Sequence, residues 1–446
     1  MSRRKIPVDI VATMRLPRDP EKAIELDLGG LKWHAYGTET IGPAHATMLD
    51  LLEIARVVHE FDRRQPKRTT GVRIKQVRVT MPLRVPERWT PAAKTELCSL
   101  LRIQGNAEWI FDFKKRANSK SKADLLFASS LQTKRNSKKV GNASQSGSDI
   151  QTVALFSGGL DSTSGLATLV KQADKTLLVG YYSQNRLKQV NIAEKLGFHH
   201  FAQIKSEWTV PKSAGRSGGQ FVYRSFLFLS LAAVFVDATS AKSLLQFENG
   251  PLALSVPPLG IYRMTRHAHP LVHRHFSDLF RHLTGRSLAI SNPFLAMTKG
   301  EAVSLLKSHL SKADFREVIG TTESCWYLSS RTIIAGPPRK RNGEACGACV
   351  PCLVRRSALK NDDIKAGVDF KNGIGRAERD PVVRVHFEAY SGFAKRLLDK
   401  NYGVHNFMED VPTATKAALD GASSMDPNMA FDLYRRFARE WIKAFA

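Results

Sequence analysis

A regular alternation of strand-like and helix-like segments begins at residue 151 and limits the fold more than any other feature of the chain. Short apolar runs that predict buried strands alternate with segments of helical length, in the order 152–157, 162–172, 176–183, 186–197, 220–238 and 243–249. Strands that alternate with helices of this length form parallel βαβ units. The sequence therefore predicts an α/β fold with a doubly wound parallel sheet.

The loop LFSGGLDSTSG, residues 155–165, joins the first predicted strand to the first predicted helix. An open parallel sheet binds its ligands beyond the carboxyl ends of the strands, which is where this loop lies. Glycines let backbone N–H groups approach an anion closely, and the helix N-terminus favours negative charge. Ser157 and Ser162 add hydroxyl donors, while Asp161 either orders the loop or faces a Mg²⁺ ion carried with a nucleotide. The loop therefore predicts a phosphate-binding site.

Two common nucleotide-binding motifs do not fit this loop. A Walker A loop requires a lysine after its last glycine, and the dinucleotide fingerprint requires the spacing G-x-G-x-x-G. Neither pattern occurs at 155–165. The remaining alternative is a glycine- and serine-rich turn without a ligand, which the Asp-Ser pair and the flanking strand and helix disfavour.

Composition and periodicity divide the chain into five segments. Alternating apolar residues at 72–86 predict a strand, and Thr90 and Pro91 begin a predicted helix. The predicted segments are an N-terminal α+β region at 1–129, a basic Ser/Lys-rich linker at 130–150, the α/β domain at 151–320, a cysteine-containing subdomain at 321–374 and a helical extension at 375–446.

Four of the five cysteines lie near one another and predict a metal site: Cys325, Cys346, Cys349 and Cys352. Thiolates two residues apart on a tight turn reach one tetrahedral ion, and a distant fourth closes the shell. Zn²⁺ is the predicted ion, with an iron–sulfur cluster or unligated thiols as alternatives. Cys98 lies on an apolar helical face and is predicted to be a buried structural thiol. This usage favours a reducing compartment, and we expect a cytoplasmic protein.

The chain carries 67 Lys and Arg residues against 41 Asp and Glu residues, a net charge of +26. Such a surplus predicts an anionic partner: a nucleotide, a nucleic acid or an acidic protein face. Residues 114–139 hold nine of the basic residues and one acid, which suits a linker as well as a binding surface. Nucleic-acid binding is therefore not favoured. No stretch approaches the roughly 20 apolar residues of a membrane span, so no membrane association is predicted.

The segment FSGGLDS, residues 156–162, resembles the SGGxDS pyrophosphate loop of the N-type ATP pyrophosphatase (PP-loop) superfamily. With the downstream C…CxxCxxC cluster, it resembles the QueC-like 7-cyano-7-deazaguanine synthases. Further segments resemble that family in the same order: YYSQN (181–185), RSFLFLSLAA (224–233) and NPFLAMTKGEAV (292–303). The resemblance spans roughly residues 150–360. The extended layout resembles the QueC-like proteins of bacterial anti-phage defence operons of the Qat or CBASS type.

The resemblance implies a sheet of the adenine nucleotide alpha-hydrolase-like (HUP) class with a C-terminal zinc-binding subdomain. It also implies a ligase that uses ATP to adenylate a 7-deazaguanine-type acid such as 7-carboxy-7-deazaguanine. Pyrophosphate leaves, and an amine then displaces AMP. The amine is ammonia, giving an amide or nitrile, or belongs to a partner protein from the same operon. ATP, Mg²⁺ and Zn²⁺ are the implied cofactors, and a homodimer is a further expectation.

The family's site residues carry over where this sequence matches. The implied nucleotide contacts are Ser157, Gly158, Gly159, Leu160, Asp161, Ser162, Tyr181 and Gln184. The predicted catalytic residues are Asp161, Ser162 and Lys299, the last as a point charge near the transferring phosphate. Arg224, in the segment that resembles the family, is a predicted substrate contact. Glu248 and Asn249, at the end of the third predicted strand, and Arg266, as a partner for a carboxylate, are predicted substrate contacts without a family match. An ordinary surface or strand position is the alternative for Tyr181, Arg266 and Lys299.

Two other functions stay open on the sequence alone. A PP-loop enzyme that modifies tRNA or another nucleic acid would explain the positive charge. A nucleotide-binding scaffold in a defence complex would bind ATP without forming AMP. The chain also departs from the biosynthetic enzymes: the segment 248–270 replaces their deazapurine-recognition stretch, and the basic insert GPPRKRNG lengthens the gap between Cys325 and Cys346.

Overall fold

The structure is a computed structural model that describes residues 6–13, 24–27, 30–36, 44–64, 75–105, 107–116, 150–181, 186–207, 222–258, 265–325, 349–359 and 381–445. Three sequence predictions lie outside these residues: the basic linker except for Ile150, the nucleotide contact Gln184 and the metal ligand Cys346.

The described residues form ten strands and fourteen α-helices, besides short 3₁₀ and π segments. The strands are β1 Ile6–Thr13, β2 Ile24–Asp27, β3 Gly30–Tyr36, β4 Lys75–Leu83, β5 Ala107–Lys115, β6 Thr152–Leu155, β7 Thr176–Tyr181, β8 Phe201–Glu207, β9 Ser243–Gln246 and β10 Ala289–Ser291. The helices are α1 Ala46–Arg64, α2 Pro91–Gly105, α3 Leu160–Ala167, α4 Arg186–Lys195, α5 Arg224–Thr239, α6 Gly250–Leu254, α7 Pro270–Thr284, α8 Lys299–His309, α9 Lys312–Thr321, α10 Val350–Leu359, α11 Pro381–Leu397, α12 Val404–Asp410, α13 Thr413–Ala417 and α14 Pro427–Phe445.

A six-stranded sheet with the order β10-β9-β6-β7-β8-β3 forms the centre of the fold. Strands β6 to β10 pair in parallel, which confirms the predicted parallel α/β sheet. Strand β3, from the N-terminal region, pairs antiparallel with β8 at one edge. From β6 the chain adds β7 and β8 on one side and then β9 and β10 on the other. A sheet of this order has a crevice at the reversal, outside the carboxyl ends of β6 and β9.

Helices cover both faces of this sheet. Adjacent residues of β6 point to opposite faces, because side chains alternate along a strand. Val153 belongs to the core that contains Phe226 of α5, whereas Ala154 belongs to the core that contains Leu166 of α3 and Leu306 of α8. Both faces are therefore apolar, which explains why the parallel strands appear in the sequence as short continuous apolar runs.

The N-terminal region contains a second sheet, with the order β2-β1-β4-β5 and parallel pairing throughout. Helix α1 packs against α5, and α2 packs against α7, so this region shares its core with the central domain. The predicted strand at 72–86 contains β4. The predicted helix start is also present, because the Ala93 N–H donates to Thr90 Oγ1 at 3.3 Å.

The C-terminal helices α11 to α14 form a third core around Trp441 and Tyr434, both fully buried. This confirms the predicted helical C-terminal region. Tyr434 fixes the region to the segment that follows β9, since its hydroxyl donates to the Pro251 carbonyl at 2.8 Å and accepts from the Val256 N–H at 3.1 Å. Among the described residues, none of the helices has both the length and the apolar character needed to cross a bilayer.

Candidate active site and metal centre

The glycine loop leaves the carboxyl end of β6, at the reversal of the sheet order. Hydrogen-bond donors from outside the loop, which we call the scaffold, bind three consecutive carbonyls of this loop. Gln189 of α4 donates through Nε2 to the carbonyls of Ser157 (2.9 Å) and Phe156 (3.4 Å). The Glu323 N–H donates to the Gly158 carbonyl at 3.2 Å. In a planar trans peptide the N–H points opposite to the C=O. The N–H groups that follow these carbonyls therefore point away from the scaffold, and that of Gly159 donates to Ser157 Oγ at 3.2 Å.

The backbone of the loop suits an anion. Gly158 adopts φ +74°, a left-handed conformation in which glycine is favoured, and such residues form concave nests of N–H groups. Helix α3 begins directly after Gly159, and no side chain caps its N-terminus. The hydroxyls of Ser157 and Ser162 lie 3.0 Å apart at the same place. The loop thus offers backbone N–H groups, two hydroxyls and a helix N-terminus to one ligand.

Four polar side chains form a group beside this loop, which we call the site cluster: the buried Asp161, Asn249 and Lys299 and the partly buried Glu248. Asn249 Nδ2 donates to Asp161 Oδ2 at 3.0 Å and to Glu248 Oε1 at 2.9 Å. Lys299 Nζ donates to Asp161 Oδ2. Asp161 Oδ1 is buried and has no hydrogen-bond partner among the described residues. This oxygen can therefore accept a ligand or a proton donor such as the Glu248 carboxyl group.

Local structure positions each member of the site cluster. Asp161 lies in the first turn of α3, and Glu248 and Asn249 follow β9. Asn249 is also the N-cap of α6, because its Oδ1 accepts from the Leu252 N–H at 3.3 Å. Lys299 opens α8 next to its N-cap Thr298, which forms a capping box with Glu301. Three different helix starts therefore converge on the crevice.

The pKa values of the two carboxyl groups of the site cluster shift in opposite directions. Burial alone would raise the pKa of Asp161, but the Lys299 ammonium and the hydrogen bonds from Glu248 and Asn249 lower it. Burial and the neighbouring Asp161 carboxylate raise the pKa of Glu248 well above its ordinary value. The pair therefore favours a single negative charge, centred on Asp161 and balanced by Lys299.

Arg224, at the start of α5, lies close enough to the site cluster for its charge to interact with Glu248. It is exposed, and its guanidinium is 5.7 Å from the centre of the Phe228 ring. Burial and then the Arg224 charge lower the pKa of His267 to about 3. The Nδ1 atom of His267 is buried without a partner among the described residues. Arg224 therefore interacts with the Glu248 side of the site cluster, and His267 interacts with Arg224.

Other predicted site residues occupy different places. Arg266 is partly buried, and its Nη1 donates to the Ile103 carbonyl at the end of α2, at 2.7 Å. Tyr181 ends β7 with its ring 5.6 Å from that of Phe228. The predicted structural thiol Cys98 donates to the Trp109 carbonyl at 3.2 Å, and burial raises its pKa.

Three predicted metal ligands converge in the structure. The Sγ atoms of Cys325, Cys349 and Cys352 all lie within 4.8 Å of one another. The Cys349–Cys352 distance is 3.4 Å and the Cys325–Cys349 distance is 4.0 Å. Sulfur atoms that share a tetrahedral Zn²⁺ at about 2.3 Å stand about 3.8 Å apart, whereas a disulfide needs about 2.0 Å. The three thiols therefore fit one metal ion.

The sequence analysis missed several residues that shape this site. Gln189 lies in a helix without a recognisable motif, and Glu323 contacts the loop through its backbone, so neither belongs to a motif that identifies it in the sequence. Lys188 pairs with Glu323, and Gln203 donates to Gln189 Oε1 at 2.8 Å. The sequence favours Arg266 over its neighbour His267 as a substrate contact. The only sequence signal for Glu323 is its position two residues before the predicted metal ligand Cys325.

No protein-family model matches the chain. Three curated proteins are similar to it, each named 7-cyano-7-deazaguanine synthase, from the Henzerling II, Nine Mile phase I and Dugway strains of Coxiella burnetii. Each is 24% identical over 240 residues, which cover 48% of this chain and 95% of the relative. The chain is therefore a distant homologue of 7-cyano-7-deazaguanine synthases over about half of its length.

Proposed function

We propose that this chain is an ATP-dependent, AMP-forming ligase that activates the carboxylate of a 7-deazaguanine-type acid, such as 7-carboxy-7-deazaguanine, and joins it to an amine. One observation carries the proposal. The glycine loop presents its N–H groups beside Asp161 and Lys299, at the crevice of a parallel sheet. The distant homologues named 7-cyano-7-deazaguanine synthase support the choice of acid.

The chemistry requires two transfers. The substrate carboxylate attacks the α-phosphorus of ATP, which forms an acyl-AMP and breaks the bond to pyrophosphate. The amine then attacks the acyl carbon, so that a C–N bond forms, AMP leaves and one proton is released. No side-chain nucleophile is needed, and the rate depends on positioning and on neutralising charge.

The residues of the crevice have distinct proposed roles. The loop from Ser157 to Ser162 holds the departing pyrophosphate. Lys299 places a positive charge next to it, and Asp161 keeps Lys299 in position. The available Asp161 Oδ1 suits the Mg²⁺ that accompanies ATP. Tyr181 and Gln184 follow the neighbouring strand, where the adenosine is expected.

The polar side chains on the Glu248 side of the site cluster suit the acid to be activated. Arg224 supplies a guanidinium, which pairs well with a carboxylate, and Glu248 and Asn249 supply hydrogen-bonding groups at the end of β9. His267 adds an unpaired ring nitrogen. Arg266 stays a predicted contact, although its guanidinium already binds the Ile103 carbonyl.

The cysteines are proposed to bind one structural Zn²⁺, with Cys346 as the fourth ligand. The short Sγ distances suit a single shared ion, because thiolates on separate iron atoms of a cluster stand farther apart. The sheet is proposed to belong to the HUP class, and the reversal of strand order beside β6 and the glycine loop after β6 support this proposal.

The acceptor amine is open between ammonia and an amine of a partner protein. Chains of this layout resemble proteins of anti-phage defence operons, so a protein partner encoded in the same operon is proposed. The net charge of +26 favours, as a second candidate, a PP-loop enzyme that modifies nucleic acid.

The test is to incubate the full chain with ATP, Mg²⁺ and 7-carboxy-7-deazaguanine, with and without an ammonium salt. We expect AMP and pyrophosphate in equal amounts and, with ammonium, a product lighter than the acid by the exchange of OH for NH₂ in mass spectrometry. The control substrate is 7-deazaguanine, which lacks the carboxylate and should give no AMP. AMP formation that is the same with either substrate would contradict the proposal.

A further inference from the structure

The segment that leads to the metal ligand Cys325 forms the back of the pyrophosphate loop. The Glu323 N–H donates to the Gly158 carbonyl, and the two segments also pack closely. A Cβ atom added to Gly159 would lie 3.4 Å from the Glu323 carbonyl oxygen. Only Ser324 separates Glu323 from Cys325. The shape of the loop therefore depends on the position of a residue next to the cysteine cluster.

The same segment is held from the other side of the cysteine cluster. Arg355 follows Cys352 by three residues on α10 and is 2% exposed. Its Nη1 donates to Thr322 Oγ1 at 2.7 Å, and its Nη2 donates to the Ile319 carbonyl at 2.7 Å. Residues that flank two of the metal ligands thus contact each other directly.

Helix α4 completes the arrangement. Gln189 holds the carbonyls of Phe156 and Ser157, and the preceding residue, Lys188, forms an ion pair with Glu323. One helix therefore contacts the loop and the Glu323 side chain together. Residues 156–158, α4 and Glu323 form one connected hydrogen-bonded unit, in which a shift of Glu323 changes the orientation of the loop peptides.

We propose that Glu323 is a positioning residue that couples the cysteine cluster to the pyrophosphate loop, so that a metal ion at the cysteines and pyrophosphate at the loop strengthen each other's binding. This inference rests on the proposed function. A metal ion that joins Cys325 to Cys349 and Cys352 restricts residues 322–325. The restricted segment then keeps the Gly158 carbonyl turned away from the anion.

The sign of the effect distinguishes positioning from simple charge. Glu323 carries a carboxylate near an anion site, so charge repulsion alone predicts that its removal strengthens pyrophosphate binding and releases Lys188 toward the ligand. Positioning predicts the opposite, because the segment that holds the Gly158 carbonyl loses its side-chain contact with Lys188 of α4. A single comparison of affinities therefore separates the two explanations.

The experiment measures binding of magnesium pyrophosphate to the full, zinc-loaded chain by calorimetry. Glu323→Ala is expected to weaken binding about tenfold, within the usual range of coupling between two sites. Glu323→Gln should lie between this variant and the wild type, because its amide oxygen still accepts from Lys188. The matched control is Glu317→Ala, which removes a similar ion pair between α9 and Lys195 of α4 and should leave the affinity within about twofold.

Reciprocity gives a readout that does not involve catalysis. If metal binding tightens pyrophosphate binding, pyrophosphate must tighten metal binding by the same factor. Zinc affinity is measured by chelator competition with and without magnesium pyrophosphate. We expect about tenfold tighter zinc in its presence for the wild type and Glu317→Ala, and little change for Glu323→Ala.

Pyrophosphate affinity in Glu323→Ala that equals or exceeds that of Glu317→Ala would overturn the inference, as would a zinc affinity that pyrophosphate does not change in the wild type. Thermal unfolding of both variants identifies a merely structural loss. A wild-type chain that binds no magnesium pyrophosphate would instead contradict the proposed function.

Discussion

Two groups of buried charges in the described part of the chain differ in whether their carboxylate oxygens all have partners. The first, which we call the inner ion cluster, joins α1 to the ends of β4 and β5 through Asp50, Glu53, Arg84 and Arg116. Asp50 Oδ1 accepts from Arg84 Nη1 at 2.9 Å, and Asp50 Oδ2 accepts from the Val85 N–H at 3.0 Å. Glu53 accepts from Arg84 with one oxygen and from Arg116 with the other.

The site cluster is also largely buried, but its carboxylate oxygens do not all have partners among the described residues. It has one cation, Lys299, between two carboxyl groups, and Asp161 Oδ1 has no partner in the described part of the chain. A buried polar atom without a partner costs about 1–3 kcal/mol, so such atoms are rare unless a ligand satisfies them. A cluster whose carboxylate oxygens all have partners therefore indicates a structural role, and one with an unpartnered carboxylate oxygen indicates binding. Variants in each cluster should accordingly affect different measurements.

The largest effect is expected at the site cluster. Asp161→Ala should reduce pyrophosphate release with ATP and the acid at least about 1,000-fold, because Lys299 loses its anchor and the loop its only carboxylate. The fold should persist, since Glu248 remains as a carboxyl group near the Lys299 ammonium. Steady-state pyrophosphate release and thermal unfolding are measured on the same preparation. Unchanged release would exclude Asp161 from the reaction and would remove the functional half of the comparison.

The reverse result is expected at the inner ion cluster. Glu53→Gln should lower the free energy of unfolding by about 3–5 kcal/mol, because Arg84 and Arg116 lose a buried counter-charge. The folded protein should release pyrophosphate at the wild-type rate. Chemical denaturation measures the loss. Glu87→Gln, in an exposed pair with Lys115, is the control and should change stability by less than the experimental error. A lower rate without a loss of stability would give the inner ion cluster a functional role.

A smaller effect is expected from a buried histidine whose partners are complete. His269 is neutral in the fold: its Nδ1 accepts from the Leu271 N–H at 3.3 Å and its Nε2 lies 3.2 Å from Thr415 Oγ1. Burial is the main cause that lowers its pKa to about 3, with smaller contributions from Arg266 and His273. The unfolded chain binds the proton more readily, so stability is present above the unfolded pKa of about 6.5 and falls as the pH decreases.

Between pH 7 and pH 5 this histidine alone should cost about 2 kcal/mol of stability. His269→Asn keeps an N-cap for α7 but cannot take up the proton, so its stability should fall less over this range. Denaturation at several pH values measures the difference. The exposed His405→Asn is the control and should retain the wild-type pH dependence. An identical slope for His269→Asn and the wild type would show that the histidine is not held neutral.

The sequence predicts only some of the features compared here. Features set by neighbouring residues are visible in the sequence, whereas features set by contacts between distant segments are not. The glycine loop and the cysteine spacing are local patterns, so their residues were identified before the fold was known. Asp50 and Glu53 have the sequence pattern of exposed helix residues, and only packing of α1 between two layers buries them. Strand β3 joins β8 across more than 160 residues, and no local pattern records such a pairing.

The smallest effect is expected at the residue that connects the two carboxyl groups of the site cluster. Asn249 Nδ2 bridges Asp161 and Glu248, while its Oδ1 caps α6. Asn249→Ser retains a capping hydroxyl but loses the bridge, so stability should change little and pyrophosphate release should fall about tenfold, which is the loss of one hydrogen bond to a charged group.

Asn249→Ala provides the matched comparison, because it loses the cap as well as the bridge. It should show the same tenfold loss of rate together with a stability loss of about 1 kcal/mol. If the serine and alanine variants differ in rate as much as they differ in stability, the cap of α6 determines the rate, and the bridge does not. If both variants release pyrophosphate tenfold more slowly, the rate depends on the hydrogen bond that Asn249 Nδ2 donates to Asp161 Oδ2. Asn249 and Lys299 then hold the Asp161 carboxylate through Oδ2, which leaves Oδ1 to the ligand.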